Sequence, residues 1–531
     1  MSEKLLYLKE EAYFEPLVNN WYAWAFLIPP LTCARYVDKT HRRIMKSFVN
    51  NYRLHIMASK ESALTGGEFV SCTEEQVQDI KSLIEDIEKG PHNFIELSNA
   101  IKELESELRN HVNGESIEYL YSKVPEMLRG FVEIFLDLEH KPSYRVIEPL
   151  VYASELYNTD VQKSAFGLVA DDKERGFVFS TPRLPDADHI HVNLELKSEV
   201  LDRIFASRTQ PMTESEIEEI FGSLEKKGGL DYRALFTETP PDKSCPQLTD
   251  GIRLEYLGHA GFLVQSAHDS ILIDPMMATL APSQKNEAIR YCELPEQLDY
   301  ILLTHAHSDH YSLETLIQLR HKTNCVVVPK NNGGTLADPS MKLSLKQLGF
   351  NVIEVDDMEV INLKSGTVTS IPFLGEHGDL NIRSKSAWLI ETQGKKLYFG
   401  ADSSNPDCEL FEHIRKSIGS LDYLFIGMEC VGAPYTWSYG ALHTQMVSKS
   451  IKNSRRLNGS DCKQALGIID KLTPDHVYIY ALGMEPWYKY LMGIEYDDES
   501  TQIVESNELV NTLEARQIEV GRLYGKKQFM L

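Results

Sequence analysis

Four side chains able to ligate a metal lie within the stretch 304–312, THAHSDHYS: His305, His307, Asp309 and His310. Residues two apart in extended backbone point the same way, so His305 and His307 can grip one ion together. Asp309 and His310, where the chain turns, project elsewhere and can grip a second ion about 3.5–4 Å away, as in two-metal sites. The apolar run QLDYILL at 297–303 reads as a strand, and Leu313, Leu316, Ile317 and Leu319 repeat with helical period. The ligands are therefore expected on a strand-to-helix turn.

Further donors occur where a strand gives way to a loop, the usual seat of functional groups on a rigid frame. SIPFLGEHGDL (370–380) carries Glu376 and His377, LYFGADSSN (397–405) carries Asp402, and SYGALHT (438–444) carries His443. Glu429, in IGMECVGAP, also follows an apolar run, where an acid can polarise a metal ligand, contact a substrate amine or serve as a structural hydrogen-bonding group. Asp274 and Asp422 border strands and read as groups that pack and orient the loops. Tyr435, Trp437 and Tyr439 precede His443 and read as packing or as the lining of an entrance.

These donors need a frame. Strands are expected at 252–257, 262–265 and 270–273 before the motif. After it, strands at 326–328, 352–355, 368–371, 387–390, 396–399, 423–426 and 477–480 alternate with helical segments. The proline-rich stretch 237–250, TETPPDKSCPQLTD, reads as a linker that separates this unit, 251–531, from a mixed α+β unit at 1–236. In the first unit Thr73 and Gln76 open a helix that Gly90-Pro91 stops, and a second helix carries Ile101, Leu104 and Leu108. A third is expected over 124–138, strands at 176–180 and 189–196, and a helix capped by Thr213 and Glu216. His189 and His191 share a strand face without a further ligand nearby and read as an ordinary half-exposed strand.

At 531 residues the chain exceeds one ordinary domain, and 42% hydrophobic with 25% charged residues are globular values. A formal net charge of -24 repels nucleic acid and anionic membranes, so neither is expected as a partner. The eight cysteines form no CxxC pair, and the N-terminus carries early acids without a long apolar run, so a reducing, cytoplasmic setting is expected. The apolar stretch 21–31 is interrupted by Pro29 and Pro30, is too short to span a bilayer, and reads as a buried aromatic segment.

HxHxDH on a strand-to-helix turn, then a ligand-bearing loop, an Asp after an apolar strand and a late His, resembles the metallo-β-lactamase superfamily from about residue 252 onward. The resemblance implies an α/β fold: a C-terminal αββα sandwich with metals at one edge of two packed sheets, preceded by the α+β domain. Hydrolytic members place a histidine where this chain has Glu376 followed by His377. With Glu376 as ligand the set is enriched in carboxylates, which suits iron over zinc.

In length and in its extra N-terminal domain the whole chain resembles the diiron β-hydroxylases of nonribosomal peptide biosynthesis, the group of the chloramphenicol-pathway enzyme. That resemblance implies two iron ions, with dioxygen and an external electron donor as co-substrates. His305, His307 and Glu376 would hold one iron, Asp309, His310 and His443 the other, and Asp402 would bridge. The implied substrate is an aminoacyl thioester on a peptide synthetase carrier domain, hydroxylated at its β-carbon. The implied N-terminal domain dimerises and shapes the substrate entrance. An acidic carrier would need a basic landing site, for which Lys449, Lys452, Arg455 and Arg456 are the candidates beside the plainer reading of a solvated helix face. The alternative is a binuclear zinc hydrolase, a lactonase or phosphodiesterase, with His377 as the ligand.

Overall fold

The computed structural model describes all residues except 1–2, 62–63, 112–113, 173–174, 243–244, 246–247 and 494. Two seven-stranded sheets form its centre. The first runs Val352–Val355, Thr323–Pro329, Leu298–Leu302, Ser270–Ile273, Gly261–Gln265, Arg253–Gly258 and Lys527–Met530 from edge to edge. The second runs Val360–Asn362, Gly366–Ile371, Ala387–Thr392, Lys395–Phe399, Tyr423–Gly427, His476–Tyr480 and Glu519–Arg522. Each sheet is antiparallel on one side and parallel on the other.

The sheets pack face to face over an aromatic core, in which the Phe262 ring lies 4.6 Å from Phe425, 5.2 Å from Phe399 and 5.7 Å from Tyr480. Strands buried on both faces read as continuous apolar runs, which is why the sequence located them. Helices Cys408–Ile418, Cys462–Leu472 and Thr501–Ala515 cover the outer face of the second sheet. Helices Leu313–Leu319 and Met341–Gln347 cover the first, where their apolar core is continuous with that of the N-terminal region. This is the αββα sandwich expected. Six strands, those ending at Gly258, Ile273, Leu302, Ile371, Phe399 and Gly427, bring their C-terminal ends to one edge, where loops of a layered α/β fold build sites.

In the N-terminal region the helices Val77–Lys89 and Phe94–Asn110 form as expected, and Thr213 and Glu216 make a complete capping box on Glu214–Ser223. The segment 21–31 is buried throughout. The helix expected over 124–138 does not form. Pro125 and Gly130 break it, and Val132–Leu136 is a strand on which Val132 and Ile134 face inward with period two. The strand expected at 176–180 is irregular chain, and that at 189–196 shortens to His189–Val192. His191 is buried there, and neither it nor His189 joins a metal-ligating group among the described residues. Part of the 237–250 stretch lies outside the described residues.

No described helix is long and apolar enough to cross a membrane.

Candidate metal centre

The motif turn leaves the strand Leu298–Leu302, and Ser312 accepts from Thr315 N–H to start the helix Leu313–Leu319. His305, His307 and His310 are buried between these elements. Asp402 follows the strand Lys395–Phe399 across a left-handed Ala401, whose N–H bonds the Tyr480 hydroxyl at 2.8 Å. Glu376 itself takes φ +69° between Gly375 and Gly378. A Cβ on Gly375 would sit 2.0 Å from Ser404 Oγ, and one on Gly378 would sit 2.3 Å from Tyr435 Cβ, so the GEHG turn admits no larger residue at either end. Strained backbone of this kind persists where the surroundings over-determine it.

The ligating atoms gather into overlapping groups, each within 4.8 Å: His305, His307 and Glu376; His259, Asp309 and His310; His305, His310 and Asp402; Glu376, Asp402 and Glu429. His307 Nδ1 lies 2.6 Å from Glu376 Oε1, His310 Nε2 2.9 Å from Asp402 Oδ2, and His259 Nε2 3.0 Å from Asp309 Oδ2. Asp402 stands between the first two groups, the position of a bridging ligand. Of the expected residues, His305, His307, Asp309, His310, Glu376, Asp402 and Glu429 are thus brought together.

His443 is not. The short helix Thr436–Tyr439 and the turn after it send Tyr439 inward and leave His443 on the opposite side, against the Tyr435 ring at 5.5 Å. Arg35 from the N-terminal region fixes that course by donating to the His443 carbonyl at 2.7 Å and to the Ala441 carbonyl at 3.0 Å. The third donor of the second group is instead His259, buried in the hairpin turn after the first strand, with its carbonyl held by Tyr256 OH and Ala481 N–H. The sequence showed it only as part of a tight Gly-His-Ala-Gly turn. Its left-handed φ of +47° and full burial mark it out in three dimensions.

Outer groups fix the rings. Asp274, fully buried, accepts from Thr304 N–H at 2.7 Å, Thr304 Oγ1 at 2.5 Å and His310 Nδ1 at 2.8 Å, which turns His310 Nε2 toward the cluster. The Tyr439 hydroxyl sits between His307 Nε2, 3.1 Å away, and His377 Nδ1, 2.8 Å away. His377 is therefore engaged with Tyr439, while Glu376 faces the cluster. Arg455 donates to the Gly378 carbonyl at 2.6 Å and stacks on Tyr435, and Arg456 donates to the Gly432 carbonyl at 2.7 Å. These two arginines brace the site loops, whereas Lys449 and Lys452 lie on the short exposed helix Lys449–Ser454. Asp422 accepts from Lys396 N–H at the far end of its strand.

The electrostatics of the cluster are those of a cation site. Burial and the charges of Asp402 and Asp309 push the Glu376 carboxyl well above its usual range, and burial with Glu376 and Asp402 does the same to Glu429. Burial takes His307 down to about 4 and His305 well below the imidazole range. Against the effect of burial, Asp402, Asp309 and Asp274 hold His310 well above it. His305 Nε2, His310 Nε2, Glu376 Oε2 and Asp402 Oδ1 are buried without a hydrogen-bond partner. Crowded carboxylates and orphaned imidazole nitrogens are satisfied together by metal ions, and the mixed nitrogen and oxygen donor set fits a pair of irons.

Residues 7–240 match the model of the diiron non-heme beta-hydroxylase N-terminal domain, and 269–470 that of the beta-lactamase superfamily domain. The chain is 34% identical, over 99% of both chains, to the 4-amino-L-phenylalanyl-[CmlP-peptidyl-carrier-protein] 3-hydroxylase of Streptomyces venezuelae. It belongs to the diiron β-hydroxylase family. The crystal structure of CmlA, a diiron beta-hydroxylase from the same organism, superposes with a TM-score of 0.92 at 34% identity, covering 100% of each chain. A metal-dependent hydrolase of Thermococcus onnurineus is 24% identical over only 29% of this chain and 62% of its own length. The hydrolase alternative is accordingly the weaker one, and the family is that of a hydroxylating enzyme with two irons.

Proposed function

We propose that this β-hydroxylase acts on an aminoacyl group held as a thioester on a carrier domain of a nonribosomal peptide synthetase, inserting one oxygen atom from dioxygen at the β-carbon. The observation that carries the reading is the near-full-length identity to an enzyme whose name specifies such a carrier-bound substrate. Residues 1–236 shape the entrance and 251–531 perform the chemistry. His305, His307 and Glu376 would hold one iron and His259, Asp309 and His310 the other, with Asp402 within reach of both groups.

When bound, the iron pair supplies the oxidising chemistry with dioxygen and two external electrons. The chain's own part is positioning and exclusion. Asp274 keeps the His310 hydrogen on Nδ1, leaving Nε2 free to ligate. Tyr439 accepts from His307 Nε2 and donates to His377 Nδ1, holding His307 with Nδ1 toward Glu376. Packing of the N-terminal region over the site keeps water from competing with the substrate. Glu429, half-buried beside Glu376 and Asp402, is placed to meet the substrate amine.

Lys449 and Lys452 offer the carrier an exposed basic helix on an otherwise acidic protein. Leu54 and Met57, exposed on one face of the helix Arg42–Ala58, support a homodimer, which light scattering would report as twice the chain mass. The deciding experiment offers reduced, iron-loaded protein a panel of aminoacylated carrier domains with dioxygen. A product heavier by one oxygen on the β-carbon is expected. Hydrolysis of the thioester without oxygen insertion, by a protein that prefers zinc, would overturn the reading.

A further inference from the structure

Arg208 is a buried cation with no acid of its own to answer it. The residue is 6% exposed, and its guanidinium donates to the Lys9 carbonyl at 2.8 Å, the Ala12 carbonyl at 2.7 Å and Gln318 Oε1 at 2.8 Å, all neutral acceptors. It lies 4.9 Å from the centre of the Tyr291 ring. Its Nε has no hydrogen-bond partner, and among the described residues it forms no ion pair. A guanidinium keeps its proton inside a protein, and a buried charge is costly until it is paired.

Arg208 forms part of the wall of a cavity of about 30 Å³, which lies between the N-terminal region, contributing also Glu10, and the segment 278–292 of the catalytic unit. Thr279 stands in the same wall, 7% exposed, and its Oγ1 is likewise without a partner. With Lys285 and Arg290 the lining carries three cations against one carboxylate, Glu10. Arg290 already takes both Glu10 oxygens, at 2.9 and 2.7 Å. The two remaining ionisable groups stay neutral. Burial, helped by Glu10, pushes the Cys292 thiol up to about 12, and burial raises the Tyr291 phenol above its usual range. No side chain of the wall is left to supply the negative charge that Arg208 lacks.

We propose that this cavity binds one halide ion, held by Arg208 and the Thr279 hydroxyl, with exposed Lys285 adding its charge from the solvent side. The space is about twice the ~10–15 Å³ that one water needs, so a chloride-sized ion fits and a phosphate or organic acid does not. A water in the same place would leave the charge unanswered. Arg208 also holds Gln318, on the helix that leaves the metal motif, so the ion secures a joint between the two regions behind the metals and takes no part in their chemistry.

Bromide is the probe. In crystals of the full chain grown with bromide, anomalous scattering should place a peak in the cavity. In solution, the melting midpoint of the iron-loaded chain should rise with bromide or chloride as a one-site binding law requires, and rise less in gluconate of equal ionic strength. Thr279→Val removes one donor at constant volume, so about tenfold more halide should be needed for the same rise. Lys285→Gln, at an exposed position that tolerates change, should need about two- to fivefold more. Arg208→Met, where it folds, should lose the halide-specific response altogether. An empty cavity in the bromide crystals would overturn the proposal. So would a peak accompanied by equal midpoints in bromide and gluconate, which marks binding at crystal concentration only, or a halide response as strong in Thr279→Val and Lys285→Gln as in the parent.

Discussion

Replacing Asp274 with asparagine tests the logic of the centre at one atom. The side chain is fully buried and accepts three hydrogen bonds, from Thr304 N–H, Thr304 Oγ1 and His310 Nδ1. An asparagine oxygen can still accept from Thr304 N–H, and its amide can donate to Thr304 Oγ1. Its remaining N–H then points at His310 Nδ1, and two donors cannot share that position. His310 must put its hydrogen on Nε2, the nitrogen 2.9 Å from Asp402 and the one a metal needs. Loss of such an outer partner costs about 10–100-fold in metal affinity, or about 1.4–2.7 kcal/mol. The loss should fall on the ion held by His310 and spare the one held by His305, His307 and Glu376. Stepwise anaerobic iron titration should therefore saturate one site at native affinity and the other late, with circular dichroism unchanged. Native affinity at both sites in Asp274→Asn would refute the argument that the carboxylate sets the tautomer.

Glu376→Ala should abolish binding of the ion shared with His305 and His307, whereas His377→Ala, which removes only the Tyr439 contact, should retain both ions; metal analysis separates the two, and the reverse pattern would restore the hydrolase-type ligand set. His259→Ala should lose the second ion and His443→Ala should keep it, by the same measurement. Glu148 gives a pH test: burial raises its carboxyl from 4.5 to about 7 as it accepts from Asn331 and Ser340 across to the catalytic unit. With the folded value raised, its contribution is whole below about 4.5 and drains away as pH climbs to about 7, because the unfolded chain ionises first. Denaturation midpoints measured through that window should fall for the parent chain, and Glu148→Gln should flatten the slope; an unchanged slope counts against the burial argument.

How much of this was legible beforehand follows from range along the chain. The central strands of both sheets announced themselves because they are buried on two faces, and the motif turn because all four donors sit between one strand and one helix. Edge strands such as Val360–Asn362 and Lys527–Met530, short and half-exposed, carry no comparable apolar run, and they were not foreseen. Glu376 was preferred over His377 on family resemblance, and the geometry favours it because Gly375 and Gly378 let the backbone turn one side chain inward and its neighbour toward Tyr439. The placing of His443 outside the ligating groups and of His259 within one of them has one cause. Forty-five residues separate His259 from His305 in sequence, and only sheet pairing of Arg253–Gly258 beside Gly261–Gln265 and Ser270–Ile273 carries that hairpin turn to the metal edge. Nothing local distinguishes it from any other polar turn. Likewise a histidine in loop 438–444 looks like a late ligand until Arg35, four hundred residues away in the chain, is seen to hold its carbonyl.

The same long-range ties explain why the N-terminal region and the sandwich form one working unit. Glu314, in the first turn of the helix that leaves the metal motif, is fully buried, and both side chains that answer it, the Arg175 guanidinium and the Tyr22 hydroxyl, come from outside the catalytic unit. Arg175 donates to it at 2.9 and 3.0 Å, reaches Glu15 at 3.1 Å, and lies between the rings of Tyr13 and Tyr490 at 4.2 and 3.8 Å; Tyr22 OH adds a bond of 2.8 Å. A buried ion network of this kind returns little net stability, since desolvating its charges offsets most of their attraction. Its effect is on placement: a shift of the motif helix by even one residue would strand Glu314 without its guanidinium. Arg35 imposes the matching constraint from the other side, on the segment that carries Tyr439 to His307. The metal motif is thus tied to the N-terminal region twice, through Glu314 on the helix that leaves it and through Arg35 on the segment that carries Tyr439 to His307.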